Sequence, residues 1–118
     1  MQRLALFAAL LSWPAHAYCP PAEPPPARFD QPYDGKLVEW ALPLAEIPAA
    51  CARLSGRYDP RSAGCGYEVH VTHDGTRSGR PIETYGHIVY PKGCAAIRRH
   101  EIAHTNGWAH NFGHARND

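Results

Sequence analysis

Apolar and polar positions divide the body of this 118-residue chain into three extended stretches and two helical ones. Residues 37–44, LVEWALPL, are half apolar and predict a short strand ended by Pro43. Residues 45–56, AEIPAACARLSG, predict a short helix with Pro48 in its first turn, Ile47 and Cys51 on one side, and Gly56 closing it. Residues 58–66, YDPRSAGCG, carry loop chemistry. In residues 67–72, YEVHVT, strict alternation predicts a strand with Tyr67, Val69 and Val71 on one face and Glu68 and His70 on the other. A turn-rich connection, HDGTRSGRP, leads to a second alternating strand, ETYGHIVY at 83–90, which Pro91-Lys92-Gly93 stops. From Cys94 the period becomes helical, and Ala96, Ile97, His100, Ala103 and His104 share a face. The expected fold class is α+β: a short antiparallel or mixed sheet packed on the last helix, with no internal repeat.

The N-terminal third follows different rules. Residues 4–11 are an apolar run preceded by Arg3, broken by Pro14 and followed by Ala15-His16-Ala17, which reads as a signal peptide over residues 1–17 cleaved after Ala17. The run is too short to span a bilayer as a finished helix, so the mature chain is expected in a secreted or periplasmic setting with no stable membrane association. Residues 20–32 hold half of the twelve prolines, a composition that favours extended backbone over helix or sheet. Residues 18–34 therefore read as an arm or linker ahead of a domain at 35–118, tethered to it by Cys19.

Four cysteines, Cys19, Cys51, Cys65 and Cys94, remain after cleavage and predict two disulfides. A domain of this size buries a modest core, and each bridge contributes about 2–4 kcal/mol. Three connectivities are open, with Cys65 the preferred partner for Cys94 and Cys51 the alternative. A cysteine zinc site is disfavoured, since no CxxC pair exists. Of 12 basic residues only Arg3 lies in the signal segment, so the mature chain balances 11 basic against 11 acidic side chains. That balance offers no electrostatic footprint for nucleic acid. Arg98-Arg99 reads as a solvated helix face.

The candidate chemistry lies in HEIAHTNGWAH, residues 100–110. On a helix His100 and His104 stand one turn apart on one side, so both imidazoles can reach a single ion. Glu101 is rotated by about 100°, close enough to act on a water molecule without becoming a ligand. Gly107 can turn the chain sharply, and His110 can return as a third ligand, leaving the fourth position open. Trp108 reads as a packing residue that anchors this turn. His70, His73 and His87 read as ordinary strand or turn residues.

These residues stand at every fixed position of the metzincin zinc-binding pattern H-E-x-x-H-x-x-G-x-x-H, and the segment resembles that family. The resemblance covers residues 100–110 and implies an exported zinc metalloendopeptidase with a small zincin-like domain. It implies one catalytic Zn2+ on His100, His104 and His110, Glu101 as general base, and a peptide or protein substrate. It further implies that the strand before the helix, residues 84–90, pairs with an extended substrate. The chain departs from the pattern in its methionine: the single one, Met1, lies in the signal segment, so the methionine turn of that family has no counterpart. The eight residues after His110 do not supply the family's lower subdomain or its assisting tyrosine. Tyr85, Tyr90 and His87 are candidate oxyanion stabilisers by their position just before the motif. Two other classes remain open: an exported zinc-binding module without proteolytic activity, and a disulfide-stapled interaction protein.

Overall fold

The computed structural model describes residues 18–76 and 79–110. The expected signal peptide, the tip of the connection at 77–78, and residues 111–118 lie outside the described residues. Strand β1 (Leu37–Leu42) is followed by a turn of 3-10 helix at Leu44–Glu46 and helix α1 (Ile47–Ser55). Strands β2 (Cys65–Thr72) and β3 (Pro81–Pro91) form a hairpin, and helix α2 (Ala95–Thr105) completes the body. Among the described residues no helix is long and apolar enough to cross a membrane.

The sheet is mixed, in the order β1-β3-β2. β1 runs parallel to β3, with Leu37 opposite Gly86 and Leu42 opposite Pro91. β2 runs antiparallel to β3, with Cys65 opposite Val89 and Val69 opposite Tyr85. β3 is thus central: residues 86–89 have neighbours on both sides, Thr84 and Tyr85 pair with β2, and Tyr90 pairs with β1. This corrects the expectation that a substrate strand pairs along 84–90: through 86–89 both sides of the strand are already taken by β1 and β2. The free edge nearest α2 belongs to β2.

Strand alternation sends side chains to two layers. On one face Val89 and Cys65 pack with Ile47, Ala50 and Cys51 of α1, flanked by Trp40, Leu42, Leu44 and Leu54. On the other face lie Ile88 and the buried residues of α2, Ile97 and Ala103. The same alternation brings Glu39 and Tyr90 together on the α2 side, where Arg98 Nε meets Glu39 Oε1 at 2.6 Å. Arg99 is paired as well, with Asp30 of the arm. The Arg98-Arg99 doublet thus lies on a solvated helix face, as expected, and also ties α2 to β1 and to the arm. Outward of residue 67 the hairpin leaves the body, and Val71 and Ile82 stand in solvent.

The cysteines pair as Cys19–Cys94 and Cys51–Cys65. The preferred Cys65–Cys94 bridge is overturned. Cys65 points to the α1 face and meets Cys51 there, whereas Cys94 lies at the start of α2, across the sheet. The expected tether of the arm by Cys19 is present, with Cys94 as its partner. All four cysteines are bridged, as the even count predicted.

One contact decides how close α2 comes. A Cβ at Gly66 would lie 2.2 Å from the backbone oxygen of Glu101, so only a residue without one lets helix and strand meet. Gly66→Ala is expected to force α2 off the sheet and cost about 1–3 kcal/mol, read as a lower urea midpoint in oxidised protein. An unchanged midpoint would show that the contact is not tight.

Candidate metal centre

The end of α2 is built to bring the chain back on itself. Gly107 has φ 104°. Its N–H donates to the His104 carbonyl at 3.1 Å, and the Trp108 N–H donates to the Ala103 carbonyl at 3.1 Å. This is a Schellman closure, which satisfies the last helical carbonyls and needs a left-handed residue at its hinge. Trp108 then stacks on His104, with ring centroids 4.9 Å apart and planes 8° off parallel. The turn delivers His110 to the open side of His100 and His104.

The ligand atoms of His100, His104 and His110 all lie within 4.8 Å of one another. His100 Nε2 and His110 Nε2 are 3.1 Å apart. Zinc with four nitrogen-length bonds near 2.05 Å sets its donors about 3.3 Å apart, so the His100–His110 pair already stands near ligand spacing, and the remaining separations, all within 4.8 Å, would close onto an ion. Two imidazole nitrogens at such a distance require a proton or a cation between them, and the donor set suits a first-row divalent ion.

Outer contacts fix the tautomers. His100 Nδ1–H donates to the Glu23 carbonyl at 2.7 Å, and His104 Nδ1–H donates to the Trp108 carbonyl at 2.6 Å. A carbonyl only accepts, so in both rings Nδ1 carries the proton and Nε2 presents its lone pair to the centre. Burial lowers the His104 pKa, and the neighbouring His110 and His100 lower it further against the opposing Trp108 hydrogen bond. Burial also lowers that of His110. Both shifts favour the neutral imidazole, the form that binds a metal.

Glu101 is 5% exposed, and burial pushes its pKa up to about 8. It sits under β2, where a Cβ at Gly64 would come within 2.9 Å of its Oε1. A cation on the three histidines would oppose this shift, because a nearby positive charge favours the carboxylate.

Glu101 and the histidines line one open cleft of about 580 Å³. Residues 63–67, leading into β2, form one wall, and residues 21–23 of the arm form another. The sequence pattern had singled out neither wall: residues 63–66 read as loop, and the arm as linker. The proposed oxyanion stabilisers are elsewhere. His87 is buried against Trp40 on the α1 side, its Nε2 without a hydrogen-bond partner, and Tyr90 donates to Glu39. Tyr85, His87 and Tyr90 are all absent from the lining, to which Tyr67 of β2 contributes. His70 contacts Thr84 and Glu68 on the hairpin. Among the described residues, His100, His104 and His110 form the one group of ligating side chains close enough to hold an ion.

No protein-family model, curated protein or solved structure matches the chain. What the centre can do follows from its own geometry: three imidazoles converge at an open cleft, with a buried carboxyl beside them.

Two outcomes are expected. Purified oxidised protein should carry one divalent ion per chain, and His104→Ala should lose most of it by elemental analysis. In metal-free protein Glu101 keeps its proton more tightly folded than unfolded, its pKa rising from 4.5 to about 8. Its contribution to stability is then fully present below pH 4.5 and lost as pH rises through 8. Glu101→Gln has no such proton to lose. It should gain on wild type between pH 5 and pH 8.5 by on the order of a few kcal/mol, measured by unfolding in chelator. Parallel pH profiles would remove Glu101 from the buried interior.

Proposed function

We propose that the chain is an exported zinc metallopeptidase of metzincin-like type. The observation that carries this reading is the convergence of His100, His104 and His110 beside the buried Glu101 at an open cleft. Two disulfides in a small domain suit an oxidising, extracytoplasmic compartment.

A zinc ion in this position supplies Lewis-acid activation of a water molecule and of the scissile carbonyl. The chain's own residues supply the rest. Glu101 follows His100 directly and lines the cleft without joining the ligand group, so it can take a proton from the attacking water and return it to the leaving amine. Residues 63–67, the lead-in to β2 and its first three residues, run along the cleft on the free edge of the sheet and offer backbone groups to an extended peptide. The expected substrate strand therefore moves from residues 84–90 to this edge. Residues 21–23 confine the peptide from the other side, a place for which the resembled family uses chain downstream of its third histidine.

Glu101→Gln tests the reading. Gln keeps the shape but cannot accept the proton, so cleavage of a quenched-fluorescence peptide library should fall by about 10²–10⁴-fold while bound zinc is unchanged. If oxidised, zinc-loaded wild type cleaves no peptide, the peptidase reading fails and a metal-binding module without turnover is the better account.

A further inference from the structure

The arm is tied to α2 at three points. Cys19 is bridged to Cys94, the residue that precedes the helix. The Asp30 carboxylate takes two donors from Arg99, Nε at 2.8 Å and the neighbouring NH2 group. The Asn106 side-chain amide donates to the carbonyls of Phe29 at 3.1 Å and Gln31 at 2.7 Å. Between these anchors Pro25 is buried, and Glu23 lies over the three histidines.

Glu23 touches two of them. Its carbonyl accepts the His100 Nδ1–H, and its carboxylate Oε2 stands 4.0 Å from His110 Nδ1. An acceptor behind a ligating imidazole fixes which nitrogen is bare and where it points, and losing it typically weakens metal binding about 10–100-fold. His104 obtains its acceptor, the Trp108 carbonyl, from the turn that ends its own helix. His100 has no such source on α2, since its Nδ1 is directed at the arm.

We infer that residues 18–31 are the outer shell of the metal centre, with Glu23 as a positioning residue, and that the Cys19–Cys94 bridge sets how tightly the ion is held. The inference rests on the reading of the three histidines as a metal site. With the arm docked, the His100 ring is set before an ion arrives. With the arm released, the ring turns freely and its Nδ1 faces water, so binding must also order it.

The test is zinc affinity, measured by competition with a chromophoric chelator on the oxidised chain, alongside the visible spectrum of the Co2+-loaded form. The variants are the double substitution Cys19→Ser/Cys94→Ser, Glu23→Ala, and the double substitution Glu23→Ala/Asp30→Ala. The cysteine double variant should bind zinc about 10–100-fold more weakly, with an altered cobalt spectrum that reports a changed ligand arrangement. Glu23→Ala keeps the carbonyl and removes a carboxylate whose side chain is 69% exposed, so a loss of about two- to fivefold is expected. If circular dichroism shows the cysteine variant unfolded, Glu23→Ala/Asp30→Ala decides, because both changes lie on the arm; it should bind more weakly than Glu23→Ala alone. Wild-type affinity and spectrum in a folded variant with a loosened arm would overturn the inference and leave the metal site standing. A wild type that binds no zinc would instead remove the metal site itself.

Discussion

The structure depends on how closely α2 lies on β2. At Gly66 the helix backbone sits where a side chain would begin, and at Gly64 the Glu101 carboxyl fills the same kind of space. This approach buries Glu101, raises its pKa, and sets the edge of β2 beside the histidines. A looser fit would admit water beneath Glu101 and widen the cleft. Small residues in a strand usually weaken it. Here they are the condition for placing a functional helix against a sheet edge.

Stability and chemistry share the same parts in so small a domain. α1 and the Cys51–Cys65 bridge close one face of the sheet, and α2 closes the other. The arm contributes little apolar core, yet it covers α2 from its start to its last turn. It also supplies one wall of the cleft and an acceptor for His100. The boundary between arm and domain is thus one of composition, and the two meet at the histidine group.

What could be read in advance follows from which signals are local. α2 was legible because its period, its start after Cys94 and its stop at Gly107 agree, and the observed bounds Ala95–Thr105 match that reading. α1 was legible for the same reason, with Pro48 in the first turn and Gly56 in a left-handed cap. The histidine group was legible because two of its members are fixed by helix geometry and the third by a turn glycine. β2 begins two residues earlier than alternation suggested, because Gly-Cys-Gly resembles a loop until the helix packed on it is known. Beyond the Cys19 tether, the arm's docking was hard to read from side chains, since its contacts with His100 and Asn106 use the carbonyls of Glu23, Phe29 and Gln31, which every residue type possesses. Tyr85 and His87 fall outside the cleft because alternation turns them to the α1 face, and Tyr90, on the α2 side, is instead taken up by Glu39.

The two disulfides are nested: Cys51–Cys65 closes a span of 14 residues inside the 75-residue span closed by Cys19–Cys94. A chain made from its N-terminus exposes Cys19 first and Cys94 last. For most of synthesis Cys19 therefore has only Cys51 and Cys65 within reach, and both are wrong partners. The inner ring must form, or re-form through thiol exchange, to remove those competitors. The outer ring can close only once Cys94 has appeared, and a wide ring costs little more entropy than a narrow one. Correct oxidation thus turns on order along the chain, since the arm can be sealed only after Cys94 has appeared.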